Sequence, residues 1–151
     1  MYDRIDKEHL LLIGRIIAEC GYLESNIQTL IWKISGLDSI DGRSITTHMG
    51  LRSKLQSVCS LSNYHYKGKE IDDEIQKLAK LISEIATHRN EIVHNPWASS
   101  GVKGVSVTSV FKARGKLQVE LKEIGTKDLK FQLKRVVYAN KQLKNIIEFA
   151  F

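Results

Sequence analysis

Residues 78–97 read LAKLISEIATHRNEIVHNPW. Leu78, Leu81, Ile82, Ile85, Ala86, Ile92 and Val93 recur every three or four positions, the spacing of one helical face. With Leu78 at 0° and about 100° per residue, the apolar set falls between roughly 300° and 80° on the helical wheel, and Arg89 falls near 20°. An arginine therefore stands in the middle of a stripe that faces a core or a partner. An unpaired buried guanidinium is costly. Arg89 pairs internally, lies at an interface or holds an anionic ligand, and its position leaves all three open. His94 follows five residues later, about 140° further round. Asn90 and His94, at i and i+4, share a flank. Pro96 disfavours helical geometry at Asn95, so the helix is predicted to fray as it reaches the histidine. A fixed cation and an imidazole at one mouth suit phosphoryl chemistry, because imidazole titrates near neutral pH.

Working back toward the N-terminus, residues 6–35 form a second long helical pattern through Leu10, Ile13, Ile16, Ile17, Cys20, Leu23, Ile27, Leu30, Ile31 and Ile34, closed by Gly36. Gly21, in its middle, marks a possible close helix crossing. Glu24 shares the edge of this stripe with Ile17 and Ile31, and the arrangement suggests that Glu24 orients Arg89 across the contact between the two helices. The other reading leaves Glu24 in water beside the packed face. Residues 36–42 (GLDSIDG) are a turn-rich connection. A further helix is expected from near Ser44 to about Leu61, split at Gly50, with Ile45, Met49, Leu51, Leu55, Val58 and Cys59 inward and His48 at the surface. Residues 63–69 (NYHYKGK) read as a loop clustering Tyr64, His65 and Tyr66, and the helix carrying Arg89 is expected from Glu70 to Asn95. Its N-terminal acids Asp72, Asp73 and Glu74 suit the positive end of the helix dipole.

After Trp97 the pattern changes. Residues 98–101 read as a loop. Val105, Val107 and Phe111 alternate with polar residues, as do Leu117, Val119 and Leu121, and Ala113-Arg114-Gly115 supplies a turn, which together predict a β-hairpin over 102–122. A lone hairpin is marginally stable, so it is expected to dock on the helices or pair across a dimer. Thr126 is expected to cap a last helix to about Phe149, with Leu129, Leu133, Val136, Val137, Leu143, Ile146 and Ile147 inward and Lys127, Lys130, Lys134, Lys141 and Lys144 outward. The expected fold is mainly α, an up-and-down bundle of about four major helices with a β-hairpin before the last one, in a single domain over 1–151.

Composition narrows the function. The net charge is +6, but residues 1–100 hold 12 Lys and Arg against 13 Asp and Glu, and residues 101–151 hold 11 against 4. A basic final third beside a near-neutral body suits a polyanion such as nucleic acid, although basic surfaces also serve solubility. No segment is apolar and long enough to span a bilayer, and the charged N-terminus does not read as a signal peptide. Cys20 and Cys59 lie at apolar-periodic positions outside any CxxC spacing, which reads as free thiols in a reducing cytoplasm. The sequence shows neither a glycine-rich phosphate loop nor a metal-ligand spacing.

Arg89-Asn90-Glu91-Ile92-Val93-His94, followed by Asn95-Pro96-Trp97, resembles the R-x4-6-H signature of the HEPN superfamily. The resemblance implies a small helical domain, often a homodimer, and in many members a metal-independent ribonuclease of toxin–antitoxin or defence systems. It would make Arg89 and His94 the catalytic pair. The RNA 2′-hydroxyl would attack the adjacent phosphate, leaving a 2′,3′-cyclic phosphate and a 5′-hydroxyl. His94 would move the proton, Arg89 would hold the phosphate, Asn90 would orient the histidine or donate to phosphate, and Glu24 would support Arg89. No cofactor or metal is implied. The implied partners are RNA and a second copy meeting through the Arg89–His94 helix, with an antitoxin or other protein also open and no membrane. The minimal bundle of the superfamily does not require the hairpin. The competing classes are a non-catalytic dimerisation or binding module, in which Arg89 and Glu24 form a buried ion pair, and a basic nucleic-acid adaptor using the hairpin and last helix.

Overall fold

The structure, a computed structural model, describes residues 5–151; the first residues of the charged N-terminus read above lie outside the described residues. Five helices and three strands follow in the order α1 (Lys7–Ser35), α2 (Ser39–Thr46), α3 (Leu51–Tyr66), α4 (Glu70–His94), β1 (Trp97–Ser99), β2 (Val105–Ala113), β3 (Leu117–Gly125) and α5 (Thr126–Ala150) among the described residues. No helix among them is long and apolar enough to cross a membrane.

Helix α1 begins where the Asp6 carboxylate accepts from the Glu8 N–H, and it ends at Gly36, whose φ of 67° lets the chain turn back. Short α2 then packs against the top of α1. Gly42 touches the Trp32 indole so closely that a Cβ there would sit 2.5 Å from the ring, and Trp32 Nε1 donates to Thr46 Oγ1 at 3.1 Å. This contact places α2 earlier than the expected start at Ser44. The break at Gly50 is where the sequence put it. Ile45, expected inward, is exposed, because Gly42 and Thr46 are the residues of α2 that face α1.

Helices α3 and α4 form an antiparallel pair joined by a short turn. Residues 63–66, read as loop, complete the last turn of α3; Tyr64, His65 and Tyr66 do cluster, with neighbouring ring centroids 5.0 and 5.9 Å apart, and the ring of Tyr66 also packs on Phe151. The turn is held by Asp72, which is buried rather than merely set at a helix end. Its carboxylate accepts from Ser62 Oγ (2.8 Å), Gln76 Nε2 (3.0 Å) and Asn63 Nδ2 (3.3 Å). Gln76 Nε2 also donates to the Cys59 carbonyl, tying the two helices together.

Helix α5 runs parallel to α1, as the paired contacts His9–Thr126 and Glu19–Asn140 show, and antiparallel to α4. The core between them centres on Leu23, Ile27, Leu30, Ile75, Ile82, Leu129 and Val136. Ile17, Val93 and Val137, counted on the inward stripes, lie at their margins and are about two-fifths exposed. Ala139 takes an inward position on α5 instead. Gly21 meets nothing within 4 Å of where its Cβ would be, so it does not mark a helix crossing.

The strands make an antiparallel sheet in the order β1-β2-β3. Trp97–Ser99, whose last two residues read as loop, pairs with Ser106–Thr108 and adds the third strand. Buried Ser106 and Thr108 face the helices, and His9, itself fully buried, pins the sheet by contacts to Ser106 Oγ (2.7 Å) and Thr126 Oγ1 (2.9 Å). Thr126 is therefore spent on this clamp. The end of α5 is capped from Gly125, whose N–H donates to Asp128 Oδ2 at 2.9 Å.

Candidate functional site

The last third of α4 carries the Arg89–His94 motif. Helix α4 ends at His94, and Asn95 is extended (φ −92°, ψ 139°), as a residue before proline must be. Trp97 folds back so that its indole N–H donates to the Ile92 carbonyl at 2.9 Å, satisfying one of the open carbonyls of the helix end. The histidine is thus held at a firm helix terminus and lies exposed there.

Arg89 is half-buried on the other side of the helix. Its Nη1 donates to Asn90 Oδ1 at 3.0 Å, and it makes no ion pair among the described residues. The expected Glu24–Arg89 pair does not form. Glu24 Oε1 instead accepts from Lys54 Nζ at 2.7 Å, and Lys54 is the more deeply buried partner. The reason is positional. Lys54 lies between Leu51 and Val58 on the inward face of α3, and with only 5% of its side chain exposed it needs a carboxylate more than half-open Arg89 does.

Arg89, Asn90 and Glu24 all line one groove of about 1230 Å³ between α1, α3 and α4. Ile17, Leu51, Leu55 and Ala86 provide apolar walls, and Arg52 and Lys80 stand with Arg89 on its lining. Glu24 is paired to Lys54, and Arg52, Lys80 and Arg89 make no ion pair among the described residues. Gly21 keeps its wall low. Two thiols also reach it. Burial pushes the Cys20 thiol up, Arg89 draws it part of the way back and Glu19 raises it. Cys59 is pushed up by burial and by Asp72. Thiols held protonated in this way are poor nucleophiles.

His94 is not among the groove residues. The structure brings together Arg89, Asn90 and Glu24 and leaves His94 at the helix end, the divergence expected of positions about 140° apart. No protein-family model matches the chain, and no characterised protein or solved structure does either. The sequence reading overlooked Arg52 and Lys80 in the groove, Lys54 behind it and His9 at the sheet. Lys54 and His9 had a signal, since both fall on apolar stripes, three residues from Leu51 and Leu12 respectively. Arg52 and Lys80 had none, because nothing local distinguishes them from other surface cations.

Proposed function

We propose that the chain is a HEPN-like, metal-independent endoribonuclease whose Arg89 groove holds an RNA phosphate and whose His94 moves the proton. The observation that carries this reading is a half-buried guanidinium without a carboxylate partner, in an open groove beside Arg52 and Lys80. Asn90 fixes the guanidinium from one side, leaving its remaining N–H donors for two phosphate oxygens. The 2′-hydroxyl attacks phosphorus, the 5′-oxygen leaves, and a 2′,3′-cyclic phosphate and a 5′-hydroxyl result. A histidine that takes or gives the proton contributes about 10²–10⁴-fold. Because His94 lies outside its own chain's groove, the histidine acting at one groove comes from a second copy, met through the Arg89–His94 helix. A setting in toxin–antitoxin or defence systems belongs to the same reading.

The divergence of Arg89 and His94 within one chain also favours a second reading, a non-catalytic dimerisation or nucleic-acid-binding module in which the groove binds phosphate and His94 only ends the helix. Incubation of a mixed RNA pool in EDTA separates the two. Metal-free cutting with cyclic phosphate ends is expected, reduced at least about 100-fold in His94→Ala and in Arg89→Ala and partly recovered when the two folded variants are mixed. Absence of cutting by folded wild type refutes the ribonuclease and leaves the binding module.

A further inference from the structure

The two faces of the sheet differ in what covers them. Directly opposed residues share a face, so the pairs Ser109–Leu121, Phe111–Val119 and Ala113–Leu117 point the same way, opposite to buried Ser106 and Thr108. On this outward face Phe111, Leu117, Val119 and Leu121 are 55%, 73%, 56% and 71% exposed. Four large apolar side chains in one block on a free surface mark an interaction site. The opposite face of the same arm carries Lys112, Gln118, Glu120 and Lys122 and is suited to water. In the arm the alternation is that of a sheet with one face for water and one to be covered, and the face to be covered is bare.

We infer that this face binds the same face of a second copy, through a two-fold axis passing near the Phe111–Val119 pair. The charge pattern points to a copy of the chain. Glu123, on this face, lies four residues to one side of Val119, about 14 Å away, and the Arg114–Lys116 turn lies a similar distance to the other side. Neither Glu123 nor the turn residues Arg114 and Lys116 make an ion pair among the described residues. Rotation about the axis sets each turn over the partner's Glu123 and each apolar block over its counterpart, at the roughly 10 Å spacing of packed sheets. The alternative rotation, with the arms side by side, would bring the two cationic turns together. A polyanion is a poor occupant, because between its two ends the face presents no cation. The patch is about 27 Å long and two strands wide, since β1 pairs only with Ser106–Thr108; closing two copies over it buries on the order of 1,000 Å², the size of a weak interface, so a dimer in the tens of micromolar is expected. This inference stands on the sheet and does not depend on the ribonuclease reading.

Sedimentation of the full-length chain from roughly 1 to 100 µM tests it. Wild type is expected to be a dimer in the upper part of this range, or a tetramer where the separate α4 contact of the ribonuclease reading also forms, the sheet contact then being the step that joins two α4 dimers. Val119→Lys, which sets like charges across the axis, is expected to weaken it at least about 100-fold, with circular dichroism and the melting temperature of the monomer at about 1 µM unchanged, since Val119 is exposed in the monomer. Leu121→Lys gives the same readout should Val119→Lys fold poorly. Glu123→Lys is expected to weaken association about tenfold, and adding Arg114→Glu and Lys116→Glu to restore it. A monomeric wild type at 100 µM, or a dimer indifferent to both apolar-to-lysine changes, overturns the inference. A monomer that instead uses this face for RNA or for another protein also overturns it.

Discussion

Removal of Glu24 distinguishes two ways of holding the bundle together. Its Oε1 lies 2.7 Å from Lys54 Nζ, with 39% of the Glu24 side chain and 5% of the Lys54 side chain exposed. Unit charges about 4 Å apart attract by roughly 4 kcal/mol at an effective dielectric near 20. Water at the carboxylate reduces this to about 1.5–3 kcal/mol. Glu24→Ala also strands the buried ammonium, so its total cost is expected near 2–4 kcal/mol. In a double-mutant cycle with Lys54→Met, the coupling should be about 1.5–3 kcal/mol, and Glu24→Leu combined with Lys54→Met should recover most of the loss. The parallel cycle of Glu24→Ala with Arg89→Met should give a coupling within about 0.5 kcal/mol of zero. Urea unfolding followed by circular dichroism measures both. A large Glu24–Arg89 coupling with a negligible Glu24–Lys54 coupling would refute the reasoning and restore the ion pair read from the sequence.

Gly42→Ala is expected to lower stability by about 1–3 kcal/mol, because its Cβ would meet the Trp32 ring at 2.5 Å, and the loss should shrink in the background of Trp32→Leu; a thermal melt reads both. Asp72 gives the fold an acid limit. Hydrogen bonds from Gln76 and Ser62, with a smaller one from Asn63, hold its carboxyl below the ordinary value of 3.8. The unfolded chain therefore takes up the proton first as pH falls. The stabilisation is complete above about pH 4 and is lost on descending through the lower folded value. Urea midpoints measured from pH 6 to pH 2 should fall more steeply for wild type than for Asp72→Asn, and equal slopes would dismiss the role of Asp72.

Most of the helical architecture was legible because each long helix carries an unbroken 3.6-residue stripe. The limits of α1, α4 and the hairpin were set by local chemistry: Asp6 and Gly36, Pro96, and the turn at Gly115. The errors share a different physical origin. Trp32 recruits Gly42 and Thr46 from α2, the Asp72 network extends α3 over the polar residues 63–66, and the pairing of Trp97–Ser99 with β2 creates a strand too short to show a period. Each is a contact between elements, invisible to a reading made along one element at a time. The same holds in the groove. Glu24 and Arg89 were both recognised as charges on apolar stripes, but choosing between Arg89 and Lys54 as the partner required the relative depth of α3 against α1, which only packing supplies.

That choice has a chemical consequence. Had Glu24 neutralised Arg89, the groove would hold a closed ion pair and an anionic ligand would have to break it. Because Lys54 supplies the counter-charge from deeper in the core, the acid of the groove is satisfied without Arg89, whose one side-chain hydrogen bond among the described residues goes to the neutral amide oxygen of Asn90. An amide oxygen orients a guanidinium without cancelling its charge, which is the condition for binding phosphate strongly. The arrangement also explains how a charged residue can stand at the centre of an apolar stripe at low cost. Arg89 lies half-buried where the stripe leaves the core and becomes the wall of an open groove, the setting in which an arginine stem covers apolar surface while its charged head reaches water or a ligand. Its position on the stripe and its availability to an anion are therefore two aspects of one geometry.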